Sequence, residues 1–537
     1  MDNNTIAKKI DLLAKIMELY DENPFKIRSY SQAYSVLRKV EKPFSTMDRN
    51  ELEEIPGVGK TIAEKIEEVI QSGSMLTLEQ YLAKTPPGII DMLNIRGFGP
   101  KKVKQIWQTL EIESIGELLY ACNENRIASL KGFGMKTQQD LIKTLEYAVE
   151  SKGKYLFSKA EKAAELLLEK LQVNYPEEQF MIGGEIYRQL PIVKGIELYS
   201  VMPLDEINFE TLSISHSDNI LEFEGINLEI IITSKEQIVF DVFERSCSPE
   251  FFKELNIKRR TWNSEEAIFE QVGKTYVPAP RRDNLFFLQS DDVFPLLTRN
   301  DCVGTFHHHT TYSDGIHTLE EMYQKATLLG YEYMVITDHS QSAFYANGLK
   351  MDQVIQQWRE IDQINDRKKG TFLIKGIESD ILSGGELDYS ADELASFQCI
   401  IASIHSNLKM DEEKGTKRLI KAIENPFTKI LGHPTSRLLL SRPGYPVKMN
   451  YIIDACAANG VAIELNANPQ RLDVDYTHLD YIAQKEVLLS VNPDAHSADA
   501  IEHVNYGISV VQKANINPNL VLNTWSLKNI LEWLETK

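Results

Sequence analysis

At 537 residues the chain is too long for a single hydrophobic core, and at about 150 residues per domain it predicts three or four units. A composition 43% hydrophobic and 25% charged is that of an ordinary globular protein, and no uninterrupted apolar run reaches the ~20 residues needed to span a bilayer, so no membrane partner is expected. The net charge of −20 fits a nucleic-acid partner poorly, but acidic and basic residues are roughly balanced before Lys154. The excess negative charge therefore lies downstream, where hard cations would want carboxylates. Residues 1–23 mix Lys8, Lys9, Asp11, Lys15, Glu18 and Asp21 with apolar residues at helical spacing and lack a signal-peptide pattern, so the expected location is the cytoplasm. Cys122, Cys247, Cys302, Cys399 and Cys456 are far apart with no CxxC pair, which predicts reduced, mostly buried thiols.

The first 150 or so residues read as helices separated by short glycine turns. One pattern recurs at roughly 35 to 40 residues, the mark of a repeated supersecondary unit. Ile55-Pro56-Gly57-Val58-Gly59-Lys60 returns as Ile95-Arg96-Gly97-Phe98-Gly99-Pro100-Lys101-Lys102, and more weakly as Leu130-Lys131-Gly132-Phe133-Gly134-Met135-Lys136. Two glycines let a backbone approach a phosphate closely, and the helix start that follows offers unpaired N–H groups and a positive dipole end. A plain helix connector ended by glycine accounts for one such copy. Three copies with lysines beside them favour DNA binding, with Gly57, Gly59, Lys60, Gly97, Gly99, Lys101, Lys102, Gly132 and Gly134 as the contact candidates. These turns resemble helix-hairpin-helix DNA-binding motifs.

From about Lys154 to Asp283 a helix over 158–172 is followed by strand-like runs at 179–182, 226–232 and 237–242, which predicts a small α/β domain. Val277-Pro278-Ala279-Pro280-Arg281-Arg282 reads as a proline-rich linker to the next unit.

After Cys302 apolar strands alternate with helices, the rhythm of a βα barrel or a wound sheet. Metal-ligand residue types recur where each apolar run ends: His307 to His309 with Asp314 after 303–306, Asp338-His339 after 333–337, Glu378 after 372–377, His405 after 399–404, His433 after 430–432, and Asp494-Ala495-His496 after 487–493. In a βα barrel such strand ends converge on one mouth. His307 and His309 alternate along a strand and face one side, leaving His308 as the structural member of the trio. His317, His478 and His503 read as surface or packing residues. Imidazole with carboxylate and no thiolate suits zinc, manganese or iron. Nine ligands exceed one ion's needs, so two or three divalent ions are expected, a design that hydrolyses phosphoesters. His339 and Asp494 are the central catalytic candidates. Arg437, Arg442 and Arg471 are candidates for phosphate, a role for which a guanidinium fork is suited, although a surface ion pair would account for each.

At these residues the sequence resembles the PHP (polymerase and histidinol phosphatase) phosphoesterases. The resemblance implies a distorted seven-stranded βα barrel with a trinuclear site whose ligands match His307, His309, Asp314, His339, Glu378, His405, His433, Asp494 and His496. Over nearly the full chain the order of regions is similar to that of bacterial family X DNA polymerases, from Asn23-Pro24-Phe25-Lys26 through the glycine turns and middle domain to the PHP domain. That resemblance implies 3′–5′ exonuclease, 3′-phosphatase and abasic-site endonuclease activity, usually with manganese, on gapped, 3′-ended or abasic DNA. Lys65 matches the family's Schiff-base lysine, although a solvated helix lysine explains it as well. The middle domain departs from the family. The paired catalytic aspartates are missing, with only Glu197 nearby, and Glu229 stands where the third would be. The expected architecture is therefore an all-α helix-hairpin-helix region (1–152), a small α/β polymerase-like scaffold (153–283) and a C-terminal PHP barrel (284–537), in a monomer. The alternatives are an active polymerase with PHP proofreading, a small-molecule phosphatase of the histidinol-phosphate kind, and a non-catalytic DNA-binding adaptor.

Overall fold

The computed structural model describes residues 3–38, 40, 42–95, 98–150, 153–217 and 220–536. They group into two compact units, one of Met1–Ala121 with Gln139–Leu145, the other of Cys122–Gln138 with Glu146–Lys537. This grouping cuts the chain differently from the expected boundaries after 152 and 283: the middle and C-terminal regions share one unit, and residues 122–138 belong to it.

In the first unit the described elements are helical. Asn3–Leu19 carries Ile6, Ile10, Leu13 and Met17 fully buried on one face. Pro24–Leu37 starts with proline in its first turn and an Asn23 side chain that accepts the Phe25 N–H at 2.9 Å. The repeated turns share one hydrogen-bond pattern. Val58 N–H donates to Ile55 O at 2.9 Å and Phe98 N–H to Ile95 O at 3.0 Å, while the Gly59 and Gly99 carbonyls accept the first bonds of helices Lys60–Ser72 and Pro100–Leu110. The third turn, in the second unit, repeats it with Phe133 N–H to Leu130 O at 3.0 Å. Gly57 (φ 84°) and Gly132 (φ 88°) sit in the left-handed region that glycine tolerates best.

The middle region is α/β. A short pair, β1 (Tyr155–Leu156) with β3 (Ile192–Val193), stands beside a sheet of β2 (Phe180–Ile182), β4 (Ile196–Ser200), β5 (Ser215–Ser217), β6 (Ile220–Phe223) and β7 (Ile226–Ile232), in the order β2-β4-β7-β6-β5, and helix Phe157–Asn174 shares an apolar cluster with β4, β6 and β7. The run at 237–242 is not a strand: it opens helix Ile238–Arg245. Ile238 and Val242 pack with Tyr199 of the sheet while Phe240 and Phe243 enter a separate aromatic core, so the helix is apolar on two sides and its periodicity is blurred. The expected linker at 277–282 is also not one. Arg282 is fully buried, forms a bidentate ion pair with Glu265 and lies 4.6 Å over the Phe243 ring, and Arg281 Nε donates to Gln512 O at 3.2 Å. The prolines there fix a buried turn, which ties the middle region to the C-terminal one.

The C-terminal region is a seven-stranded, all-parallel, nearly closed barrel: β8 (Gly304–His308), β9 (Tyr333–Ile336), β10 (Phe372–Asp380), β11 (Cys399–Ser403), β12 (Ile430–Leu431), β13 (Ala462–Asn466) and β14 (Leu489–Asn492), hydrogen-bonded in chain order. The seam between β8 and β14 is closed twice. At one end His309 N–H donates to Ala495 O at 2.9 Å and Ala495 N–H to His307 O at 3.1 Å; at the other the Asn523 carboxamide donates to Gly304 O and Val491 O at 3.1 and 2.8 Å. Edges that would otherwise be open are thus satisfied. One cluster gathers Phe306, Tyr333, Val335, Ile374, Ile401, Ile430 and Ala462, alternate positions of neighbouring strands, with Leu522, Ile530 and Leu534, the last two on the C-terminal helix Leu527–Glu535. Two-residue steps along these same strand faces lead from Val335 through Thr337 to His339, from Ile374 through Gly376 to Glu378, and from Ile401 through Ser403 to His405. The interior is therefore apolar at the strand starts and polar at the strand ends.

Candidate metal centre

The barrel brings all nine expected ligands together, each buried except His405, which is 11% exposed. Glu378 is the centre. His307 Nε2, His405 Nε2 and His433 Nε2 each stand 3.1 Å from its Oε1, and His339 Nδ1 stands 2.9 Å from its Oε2. Beside it, His309 Nε2 is 3.2 Å from Asp494 Oδ1, and Asp314 faces His339 Nε2 at 3.5 Å and His496 Nε2 at 3.4 Å. His309, Asp314, His339 and His496 form one group whose ligand atoms could share an ion; His307, His309 and Glu378 form a second, and His339, Glu378 and His405 a third. His307 (φ 65°) and Asp494 (φ 51°) adopt left-handed backbone that non-glycine residues seldom do, a strain of the kind that functional sites hold.

Whether this donor set fits divalent cations is decided by its unpaired atoms. His307 Nε2, both ring nitrogens of His309, Asp314 Oδ2, His339 Nδ1 and Glu378 Oε2 are buried and make no hydrogen bond. A single buried orphan costs about 1–3 kcal/mol, so adjacent ones point to a group that binds them all. Imidazole and carboxylate without thiolate suit zinc, manganese or iron. In the bare protein the same atoms perturb one another. Burial lowers the His339 imidazole, but Asp314 and Glu378 carry it up to about 10. Burial, with His496 and His339 beside it, takes His309 down to about 3. Burial raises Glu378 and Asp314, yet the surrounding imidazoles hold both well below the usual carboxylate range.

An outer layer orients the inner one. Glu464, fully buried in β13, stands 2.6 Å from His307 Nδ1 and accepts His433 N–H at 2.5 Å and Asn492 Nδ2 at 2.7 Å. Asp380 approaches His405 Nδ1 at 2.5 Å. Asp338 is engaged outside the cluster: it accepts from Thr310, Ser313 and Gln357 and fixes the turn that carries Asp314. Sequence reasoning missed Glu464, although a lone carboxylate inside the apolar run 461–467 was a usable signal. His308 is structural as expected, with Nδ1 3.0 Å from Val335 O and Nε2 3.1 Å from Thr305 Oγ1. His317 caps a turn, accepting Ala498 N–H at 3.1 Å.

Of the arginines, Arg471 is buried with Nε 3.7 Å from Asp494 Oδ2. Arg437 is engaged elsewhere: its guanidinium donates to the Arg471 and Leu472 carbonyls and pairs with Asp475, which braces the 471–475 turn. Arg442 donates to Ser436 O at 2.9 Å.

A helix-hairpin-helix domain matches residues 1–75, a SAM-like helix-hairpin-helix tandem residues 89–146, and a PHP domain residues 305–468. The DNA polymerase/3'-5' exonuclease PolX of Bacillus subtilis (strain 168) is 29% identical over an alignment that covers 100% of both chains. The chain is PolX-like. A "Probable phosphatase" of Thermoanaerobacter sp. (strain X514) is 28% identical over 43% of this chain and 94% of its own length, and "Probable phosphatase YcdX" of Escherichia coli O81 (strain ED1a) is 25% identical over 46% and 96%.

In this PolX-like chain the middle region brings Glu197 and Glu229 together as register partners on β4 and β7. Arg245, at the end of the helix that was expected to be a strand, spans both: Nη1 and Nη2 each stand 2.9 Å from a Glu229 oxygen and Nε 3.0 Å from Glu197 Oε2. One guanidinium thus bridges the two carboxylates and offsets part of their charge. Lys65 pairs with Glu68 at 2.6 Å along its own helix. Gly59 and Gly99 begin their helices with ordinary extended backbone, and nothing lies within 4 Å of the space a side chain would take. Lys60 and Lys101 beside them are exposed, and Lys102 lies 5.9 Å from the Phe98 ring. Gly134 likewise has open space. Gly97 lies outside the described residues.

Proposed function

We propose that the chain is a DNA-directed, metal-dependent phosphoesterase whose barrel removes nucleotides or phosphate from a 3′ end or cleaves at an abasic site. The observation that carries this reading is the cluster of buried, unpaired imidazole and carboxylate atoms at the strand ends of the barrel. His307, His309, Asp314, His339, Glu378, His405, His433, Asp494 and His496 would hold two or three divalent ions, manganese by preference, with zinc and iron also suited to these donors. Such ions supply a nucleophile at neutral pH and offset phosphodiester charge. Around them Glu464 and Asp380 fix the rotation of His307 and His405, and Arg471 offers a planar fork beside Asp494 for a phosphate oxygen.

DNA holding falls to the glycine turns. At Gly59 and Gly99 neither backbone strain nor packing demands glycine, which supports close approach of an external backbone to the two helix starts. Contacts of that kind grip phosphates and read no bases. The helix-hairpin-helix matches and the full-length likeness to a polymerase/exonuclease support DNA as the substrate over a soluble phosphomonoester. We further read the middle region as a scaffold without nucleotidyl transfer, because Arg245 occupies the carboxylate pair that metal ions would need. A monomer acting in the cytoplasm is the working expectation; among the described residues no helix is long and apolar enough to cross a membrane.

The test is a 5′-labelled primer–template incubated with Mn2+, with and without the four nucleotides, for wild type and His339→Ala, with DNA binding followed by anisotropy. Shortening by the wild type alone, unchanged binding by the variant and no extension are expected. Shortening that survives in His339→Ala would remove the metal centre from the reaction, and extension would show that Glu197 and Glu229 serve polymerization.

A further inference from the structure

Metal-binding histidines are held in place by what their second ring nitrogen touches, most often a carboxylate or a carbonyl. The barrel follows this arrangement at three ligands. His307, His405 and His433 turn Nε2 to Glu378, each at 3.1 Å. Their Nδ1 atoms turn outward, to Glu464 at 2.6 Å, to Asp380 at 2.5 Å and to Ser436 Oγ at 3.3 Å. These outer partners all come from the barrel itself.

His496 has the same polarity with a partner from elsewhere in the sequence. Its Nε2 faces Asp314 at 3.4 Å within the four-residue ligand group, and its Nδ1 meets the carboxylate of Glu124. Nδ1 also lies 3.1 Å from the Asp494 carbonyl. The Asp494 carbonyl accepts from Nδ1 and the carboxylate lies against it, so both favour the hydrogen on Nδ1 and leave the Nε2 lone pair for an ion. Glu124 is 5% exposed, and its Oε1 accepts Asn468 Nδ2 at 3.4 Å. A carboxylate removed from water needs polar partners, and the Nδ1 edge of His496 and the Asn468 carboxamide are the ones described for it.

The segment that presents Glu124 is pinned on both sides. Asn123 Nδ2 donates to Gln470 Oε1 at 2.9 Å, and the Gln138 side chain binds Ala128 N–H at 2.8 Å and Asn125 Oδ1 at 3.0 Å. The Arg126 guanidinium lies 4.4 Å over the Tyr345 ring, which borders His339 and His405. Residues 122–138 belong to the same compact unit as the barrel, yet in sequence they fall in the stretch matched by the helix-hairpin-helix tandem.

We propose that Glu124 is a positioning residue of the metal centre, orienting His496 for its ion, so that the stretch recognised as a DNA-binding module completes a site the PHP region does not complete by itself. This rests on the metal-centre reading above. The alternative is that Glu124 is itself a ligand, grouped with Asp494 and His496. It is disfavoured because Nδ1, the nitrogen facing Glu124, would then have to give up its hydrogen, and Nε2 would be lost to the four-residue group.

The experiment measures Mn2+ directly on the full chain: bound equivalents at saturation by elemental analysis, and affinity by titration of free Mn2+ in electron paramagnetic resonance, for wild type, Glu124→Gln and Glu124→Asp. Glu124→Gln should keep the wild-type number of equivalents and lose affinity by about 10–100-fold, the usual effect of removing such a partner. Glu124→Asp should recover part of that loss, and melting of the metal-free protein should be alike in all three. Equal affinity in wild type and Glu124→Gln overturns the proposal, as does loss of a whole equivalent at saturation, which would make Glu124 a ligand. If Glu124→Gln melts early without metal, the comparison of Glu124→Asp with wild type decides, since a mere packing role would leave its affinity unchanged. A wild type that binds no Mn2+ would instead sink the metal centre itself.

Discussion

At the residue scale, burial alone does not decide the charge of a histidine; its neighbours do. His339 and His309 are both buried, yet carboxylates raise the first to about 10 while burial and neighbouring imidazoles lower the second to about 3. At His503 burial outweighs the carboxylates of Asp494 and Glu502, which act to raise it. Its Nδ1 has no hydrogen-bond partner, and burial, with Lys162 adding repulsion, takes it down to about 4. The unfolded chain therefore binds a proton at His503 below its ordinary value of 6.5 while the folded chain stays neutral until about 4. Stability is lost as pH falls across that window, on the order of 1–2 kcal/mol after discounting for the solvent that reaches the partly exposed ring. His503→Leu should melt progressively higher than wild type as pH is lowered from 7 to 4.5; parallel curves would refute this account.

At the scale of elements, strand ends were legible and some strand identities were not. The candidate ligands follow apolar runs because the barrel interior changes from apolar to polar along one strand face, and a period of two residues records that change in sequence. The run at 237–242 misleads because its helix has two apolar sides, and a short apolar stretch carries too few periods to separate helix from strand. Close strand contacts leave no mark on any pattern. Gly304 in β8 has ordinary strand backbone, but a side chain there would meet Tyr333 Cζ at 1.8 Å, and Tyr333 is fixed by its hydroxyl donating to Leu522 O at 3.0 Å. Gly304→Ala should destabilise the second unit by about 3 kcal/mol, at the upper end of overpacking costs, read as an earlier melt by circular dichroism. A melt unchanged within error would mean that Tyr333 can move aside.

At the scale of the whole molecule, a net charge of −20 and DNA binding are compatible when the basic contacts are few and local. If the glycine turns hold phosphates, affinity should fall steeply with salt, and Lys60→Ala and Lys101→Ala should each reduce the slope of log K against log salt by about 1. The same slope in wild type and variants would place the phosphate contacts elsewhere. Because hydrolysis and grip are assigned to different side chains, these variants should keep their Mn2+ affinity, whereas His339→Ala should keep its salt slope.

The sequence by itself determined the glycine-turn repeat, the βα rhythm and the nine candidate ligands that the barrel brings together, because each depends on local periodicity or on residue types at fixed steps from a strand. Only the tertiary structure decided that Arg245 spans Glu197 and Glu229, that Arg437 braces a turn instead of facing phosphate, that the proline segment at 277–282 is buried, and that Glu124 stands behind His496. Those pairings join residues far apart in the chain, and the free energy that selects them comes from desolvation and charge pairing inside the fold, which no periodicity encodes.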